Sequence, residues 1–181
     1  RIYNKQHMSN NMTTCLTVGT IHHGEAYDYK ITRILGQGSF GITYQAKVEM
    51  KGALGTLDSN MYVAIKEFFM KEVNGREGST VTSSSDSKGG LVDYYRKKFE
   101  REAQNLSTLK HDNIVRVLES FHGNGTVYYA MEFIDGQSLD NTIINSPKGH
   151  LDEATALSYT RQIGAALSFM HNRGILHLDV K

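Results

Sequence analysis

Apolar and polar residues alternate through much of the first half of the chain and recur at helical spacing in the second. In GITYQAKV (41–48), Ile42, Tyr44, Ala46 and Val48 share one face and Thr43, Gln45 and Lys47 the other, which predicts a half-buried strand. Strands are also predicted for YKITRILGQG (29–38), MYVAIKEF (61–68), IVRVLESF (114–121) and TVYYAMEF (126–133). The last two flank HGNG, whose glycines suit a hairpin turn. EMKGALGTLDSN (49–60) reads as a loop. NGREGSTVTSSSDSKGG (74–90) is rich in Ser and Gly and too polar to bury, so a flexible surface insertion is expected there.

Helical spacing begins with a helix over roughly 92–109, where Phe99, Leu106 and Leu109 recur on one side. A short helix over 138–145 is capped by Ser138. A long one, over 152–172, carries Ala156, Tyr159, Ile163, Ala166, Leu167 and Met170 along one side, with Gly174 just past its end. Three strands, a helix, two strands and more helices predict an α+β fold, with five mostly antiparallel strands and one helix packed on them. Little sequence remains to cover the long helix, so an exposed apolar face and self-association of the chain are expected.

Composition narrows the function classes. Of 181 residues, 39% are hydrophobic and 22% charged, and the formal net charge is +1. That balance reads as soluble and globular and offers no field to recruit nucleic acid. The apolar runs are too short to span a bilayer. The start, RIYNKQHMSNNMTTC, lacks the apolar core of a secretory signal, and residues 1–24 are expected to be a disordered leader or tag. Cys15 is the only cysteine, which rules out an internal disulfide and suits a reducing, cytoplasmic setting. The eight histidines are scattered without metal-ligand spacing, so no metal site is expected.

Four features carry chemistry. GQGSFG (36–41) is G-x-G-x-x-G, whose glycines let backbone N–H groups approach phosphate oxygens. A strand, not a helix, follows it, which excludes the dinucleotide-binding use of the pattern. In VAIK (63–66), alternation sets Ala64 and Lys66 on one face and Val63 and Ile65 on the other. Glu102 falls on the apolar face of the 92–109 helix, where a carboxylate needs a cation, and Lys66 is the expected mate; Glu100 falls off that face. Finally, His177, Asp179 and Lys181 follow a helix and a glycine, as a catalytic loop would. Asp179 can accept the proton of a hydroxyl, and Lys181 can neutralise a transferring phosphoryl group.

In this order the four features resemble a protein kinase catalytic domain, over roughly residues 27–181. LGQGSFGITY, REAQNL and HDNIV are most similar to the bacterial, eukaryotic-like Ser/Thr kinases. The resemblance implies an N-lobe over 25–131, a hinge over 132–136 and the start of a C-lobe over 137–181, truncated within the catalytic loop. It implies that Gly36, Gly38 and Gly41 cover the ATP phosphates and that Lys66, paired with Glu102, binds the α- and β-phosphates. Leu35, Thr43 and Ala64 would contribute to the adenine roof, Met131 would be the gatekeeper, and Glu132 and Ile134 would meet adenine through their backbones. Asp179 would be the catalytic base, Lys181 its cationic neighbour and His177 a brace below the loop. The implied reaction is γ-phosphoryl transfer from Mg-ATP to a protein substrate. The family's magnesium ligands lie beyond Lys181, so the chain by itself is expected to be inactive. Leu178 stands where the family often has an arginine that anchors a phosphorylated activation loop, which implies activity without that modification. The alternative is a pseudokinase-type scaffold, which would need none of Gly36, Gly38, Gly41, Lys66, Glu102 and Asp179.

Overall fold

A computed structural model describes residues 14–52, 55–83, 89–178 and 180. Six strands form one antiparallel sheet: β1 (Ile21–His23), β2 (Asp28–Gln37), β3 (Gly41–Gly52), β4 (Gly55–Phe68), β7 (Val117–Gly123) and β8 (Thr126–Glu132), in the order β1-β2-β3-β4-β8-β7. β5 (Asn74–Glu77) and β6 (Thr80–Ser83) make a separate hairpin. The helices are α1 (Gly89–Thr108), α2 (Leu139–Ile144) and α3 (Glu153–His171).

The alternation in β3 is realised as expected, with Ile42, Tyr44, Ala46 and Val48 fully buried. The sheet buries both faces. On the back, those residues pack with Tyr29, Ile31, Val63, Ile65, Phe121 and Tyr128. On the front, Phe68, Val117, Val127 and Tyr129 pack against Phe99 and Ala103 of α1. The β7–β8 turn is Asn124-Gly125, with φ of 50° and 72°, both left-handed as a type I′ turn requires. A Cβ on Gly125 would also lie 2.7 Å from the carbonyl oxygen of Val81 in β6, so only glycine fits. Ser138 caps α2 by accepting from the Asn141 N–H, and Asp152 caps α3 by accepting from Thr155.

Three expectations need correction. The leader is not loose throughout: β1 pairs with β2, Cys15 and Leu16 are buried on the back face, and the Leu16 N–H donates to the Tyr44 hydroxyl at 3.1 Å. Two apolar residues are too few to give a periodic signal. Residues 1–13 lie outside the described ones. The stretch 49–60 is largely strand, because β3 and β4 continue as a ribbon to Gly52 and Gly55; without an apolar face it carries no alternation to detect. Residues 74–83 of the polar insertion are a docked hairpin. The Met70 N–H donates to the Asn74 side chain and the Val81 N–H to the Asn124 carbonyl, while Val81 enters the back-face core. The serine run at 84–88 lies outside the described residues.

The chain divides into two compact units. One holds the sheet, the β5–β6 hairpin and α1 as far as Ser107, with Val117–Phe133. The other holds Thr108–Arg116 and the described residues from Ile134 onward, including α2 and α3. In this second unit Ala166 and Met170 of α3 are buried, whereas Tyr159 and Ile163 on the same apolar stripe remain exposed.

Candidate active site

The glycine motif forms the β2–β3 connection. Gly36 pairs with Thr43 and Gln37 with Ile42, and the Gly38 N–H donates to the Gly41 carbonyl at 2.8 Å, closing the turn. Gly41 is constrained by close approach: a Cβ there would sit 2.8 Å from the Glu67 carbonyl oxygen. The Phe69 N–H, donating to the Phe40 carbonyl, fastens the tip of the turn to the end of β4.

Lys66 lies opposite Thr43 in the β3–β4 ladder and opposite Tyr129 in the β4–β8 ladder. Its ammonium meets the Glu102 carboxylate of α1 at 2.9 Å. The same Glu102 oxygen accepts from the Tyr129 hydroxyl at 2.8 Å. Burial first, and then Glu102, raise the Tyr129 pKa well above its ordinary value, so the hydroxyl stays protonated and able to donate. The Lys66 ammonium also lies 5.5 Å from the Tyr129 ring centre and 5.7 Å from that of Phe99. An apolar helix face suggests a buried pair, but the Lys66 and Glu102 side chains are 32% and 48% exposed, because they line an open cleft.

That cleft, about 470 Å³, brings together five of the expected residues: Gly38, Gly41, Thr43, Lys66 and Glu102. Four further lining residues were not singled out by sequence: Phe40, Phe68, Tyr95 and Lys98. Phe40, at the tip of the glycine turn, stacks on Tyr95 of α1 with ring centres 4.5 Å apart. Ala64 and Met131 are cross-strand neighbours, with Ala64 buried and Met131 partly so. Leu35 is exposed on β2 and Glu132 ends β8. Ile134 is exposed in the second unit, as is His177. Asp179 and Lys181 lie outside the described residues, so their placement adds nothing to the site.

A second ionic cluster lies on the back of the same strands, where sequence reading placed nothing. Glu67 is fully buried and accepts from Tyr44 at 2.9 Å, from Tyr128 at 2.7 Å and from the guanidinium of Arg76 in β5. Burial acts to lower the Arg76 pKa, but the bond and the charge of Glu67 outweigh it and hold it above the ordinary value. Arg76 also donates to the carbonyls of Thr14 and Ser79. The available signal was the alternation itself: Glu67 continues the Val63–Ile65 face, and a carboxylate there demands a cation from elsewhere.

The cleft is suited to a polyanion. Two lysines line it with one carboxylate, and at the start of the glycine turn a Cβ on Gly36 would meet nothing within 4 Å. Among the described residues no group of three His, Cys, Asp or Glu side chains could hold a metal ion.

Comparison with known proteins gives a consistent result. A family model described as protein kinase domain matches residues 29–181. CBL-interacting protein kinase 12 of Oryza sativa subsp. japonica is 32% identical over 153 residues, covering 84% of this chain and 23% of that protein. Serine/threonine-protein kinase YPK3 of Saccharomyces cerevisiae is 31% identical over 164 residues, covering 86% of this chain and 29% of that protein. The chain thus spans about a quarter of the length of these relatives. Among solved structures, the apo form of PpkA-294 superposes with a TM-score of 0.73 at 25% identity, over 93% of this chain and 56% of that one. The Mycobacterium tuberculosis PknI kinase domain superposes with a TM-score of 0.63 at 23% identity, over 92% of this chain and 55% of that one, a likeness of fold.

Proposed function

The chain belongs to the protein kinase domain family, and we propose that it supplies the ATP-binding lobe and the start of the larger lobe of a serine/threonine kinase, acting within a chain that continues past Lys181. The observation that carries this reading is the Lys66–Glu102 pair at 2.9 Å, set in one cleft with the glycine turn. Lys66 binds the α- and β-phosphates of ATP, Glu102 and the Tyr129 hydroxyl fix its ammonium, and Gly36, Gly38 and Gly41 admit the phosphates to backbone N–H groups. Leu35, Thr43, Ala64 and Met131 shape the adenine pocket, with backbone contacts from Glu132 and Ile134. Asp179 accepts the proton of the substrate hydroxyl, Lys181 offsets charge on the moving phosphoryl group, and His177 braces the loop. Magnesium would supply charge neutralisation of the nucleotide phosphates, and by the family resemblance its ligands would lie beyond Lys181.

In-line transfer depends on positioning and charge neutralisation, so the 181 residues alone are expected to show almost no turnover. The loop sequences support the bacterial subgroup, and the lone Cys15 supports a cytoplasmic setting; no helix of the described residues is long and apolar enough to cross a membrane. Exposed Tyr159 and Ile163 on α3 support self-association of the isolated chain. The test is protein phosphorylation by the longer chain carrying Asp179→Asn, expected to fall by about 100-fold or more. A rate equal to that of the unaltered enzyme would refute the assignment.

A further inference from the structure

The strand that carries Lys66 is held from behind. Glu67, the next residue, points to the opposite face, where it is 0% exposed and takes three donors. These come from three different places: Tyr44 on β3, Tyr128 on β8 and Arg76 on the β5–β6 hairpin. β3 and β8 are the strands on either side of β4. A carboxylate gripped on both flanks and from above cannot roll about the strand axis. In a strand, the roll that fixes Glu67 also aims its neighbours Lys66 and Phe68 toward the front face.

The coupling to the glycine turn is equally direct. Ile42 pairs with Glu67 and Gly41 with Phe68. The Glu67 carbonyl oxygen lies 2.8 Å from where a Cβ on Gly41 would be, and the Phe69 N–H holds the Phe40 carbonyl. A shift of β4 at residue 67 is therefore a shift of both the lysine and the turn. The guanidinium that completes the grip comes from the polar insertion, and its side chain is only 2% exposed. The N-terminal segment closes over it: Arg76 donates to the Thr14 carbonyl, and the Leu16 N–H donates to the Tyr44 hydroxyl.

We propose that Arg76 is a positioning residue for the phosphate site, acting through Glu67 to fix Lys66 and the glycine turn, and that the β5–β6 hairpin exists in this fold to deliver it. The proposal rests on the reading of Lys66 and the glycine turn as the ATP-phosphate site. The alternative role, general support of the back-face core, predicts different behaviour. A buried ion pair replaced by apolar groups of similar volume often leaves stability unchanged, so positioning and stability can be separated.

The test uses the 181-residue chain with Glu67→Gln/Arg76→Met, which keeps an acceptor oxygen for one of Tyr44 and Tyr128, offers the other an amide N–H, and removes the clamp. Arg76→Lys is the second variant, retaining charge but not the planar fork. Amide hydrogen exchange is read at Gly38 and Phe69, the two N–H groups that close the glycine turn, against Ile31, whose N–H donates to Thr20. The expected result is exchange faster by about tenfold or more at Gly38 and Phe69 in the double variant, less in Arg76→Lys, with Ile31 unchanged. Unchanged exchange at Gly38 and Phe69 overturns the proposal. So does uniform acceleration at all three positions, or failure of both variants to fold, since the network would then support the whole unit and not the site. Mg-ATP titration of the unaltered chain and of Lys66→Met is run alongside. Local acceleration without any Lys66-dependent binding would sink the ATP reading and leave the clamp standing. Lys66-dependent binding with unchanged exchange would do the reverse.

Discussion

The two faces of the central sheet carry the same three kinds of group in adjacent positions. In front, Lys66 meets Glu102 and Tyr129; behind, Glu67 meets Arg76 and Tyr128. Two consecutive residues of β4 and two of β8 supply four of these six groups, one to each face by simple alternation. Their surroundings separate them. The front pair is 32% and 48% exposed at the edge of a cleft, and the back pair is 0% and 2% exposed beneath a hairpin. An exposed pair contributes little to stability but leaves its cation available to a ligand. A sealed pair has no ligand to meet, yet removing one partner strands a buried charge. The proposed ATP-phosphate site uses the open pair, and the proposed clamp is the closed one behind it.

The largest expected effect separates the two faces by stability. Arg76→Ala should destabilise the chain by about 3–5 kcal/mol in urea unfolding, because Glu67 is left buried without its cation. Glu102→Gln should change stability by no more than about 1 kcal/mol in the same assay. Equal losses would erase the distinction.

Acid provides the next contrast, since His22 borders the back cluster alone. Its ring is buried, 4.5 Å from the Tyr128 ring, with one nitrogen 3.2 Å from the Asn124 amide nitrogen. Burial first, with Arg76 and His23 adding to it, lowers its pKa to about 4. The unfolded chain therefore binds a proton more readily than the folded one. Stability is full above about pH 6.5 and declines as the pH falls toward 4, by on the order of 3 kcal/mol in all. His22→Gln should flatten that decline in chemical unfolding measured from pH 7 to pH 4, and an unaltered slope would count against the assignment.

The tyrosines give the finest comparison. Tyr128→Phe takes a donor from a sealed carboxylate and should cost about 1.5–3 kcal/mol. Tyr129→Phe takes one from Glu102, which water can still reach, and should cost about 1 kcal/mol or less by the same unfolding assay. A reversed order would mean that the front cluster is the less hydrated of the two.

How much of this was legible in the sequence follows from the same asymmetry. β3 and α3 announce themselves by period, and the Lys66–Glu102 pair follows from a lysine in an apolar strand and a glutamate on an apolar helical face. Glu67 and Arg76 stayed hidden because each alone reads as an ordinary charged residue. Arg76 sits in a stretch whose Ser and Gly content signals a surface loop, and only the fold shows that its guanidinium reaches a carboxylate nine residues earlier. The same limit applies to Cys15 and Leu16, two apolar residues inside a polar leader. The ends of β3 and β4 were lost because residues 49–60 carry no regular alternation of apolar and polar positions. Stacking of Phe40 on Tyr95 depends on how the glycine turn bends, which spacing does not encode.

The most direct test of the division between the faces is the rate of protein phosphorylation by the longer kinase carrying Lys66→Met, read beside its melting temperature. Loss of about 100-fold or more in rate with an unchanged melting temperature is the expected result, since the front cation is proposed to bind phosphate and, as part of an exposed pair, contributes almost nothing to folding. An unimpaired rate, or a loss of activity that merely follows unfolding, would contradict the account.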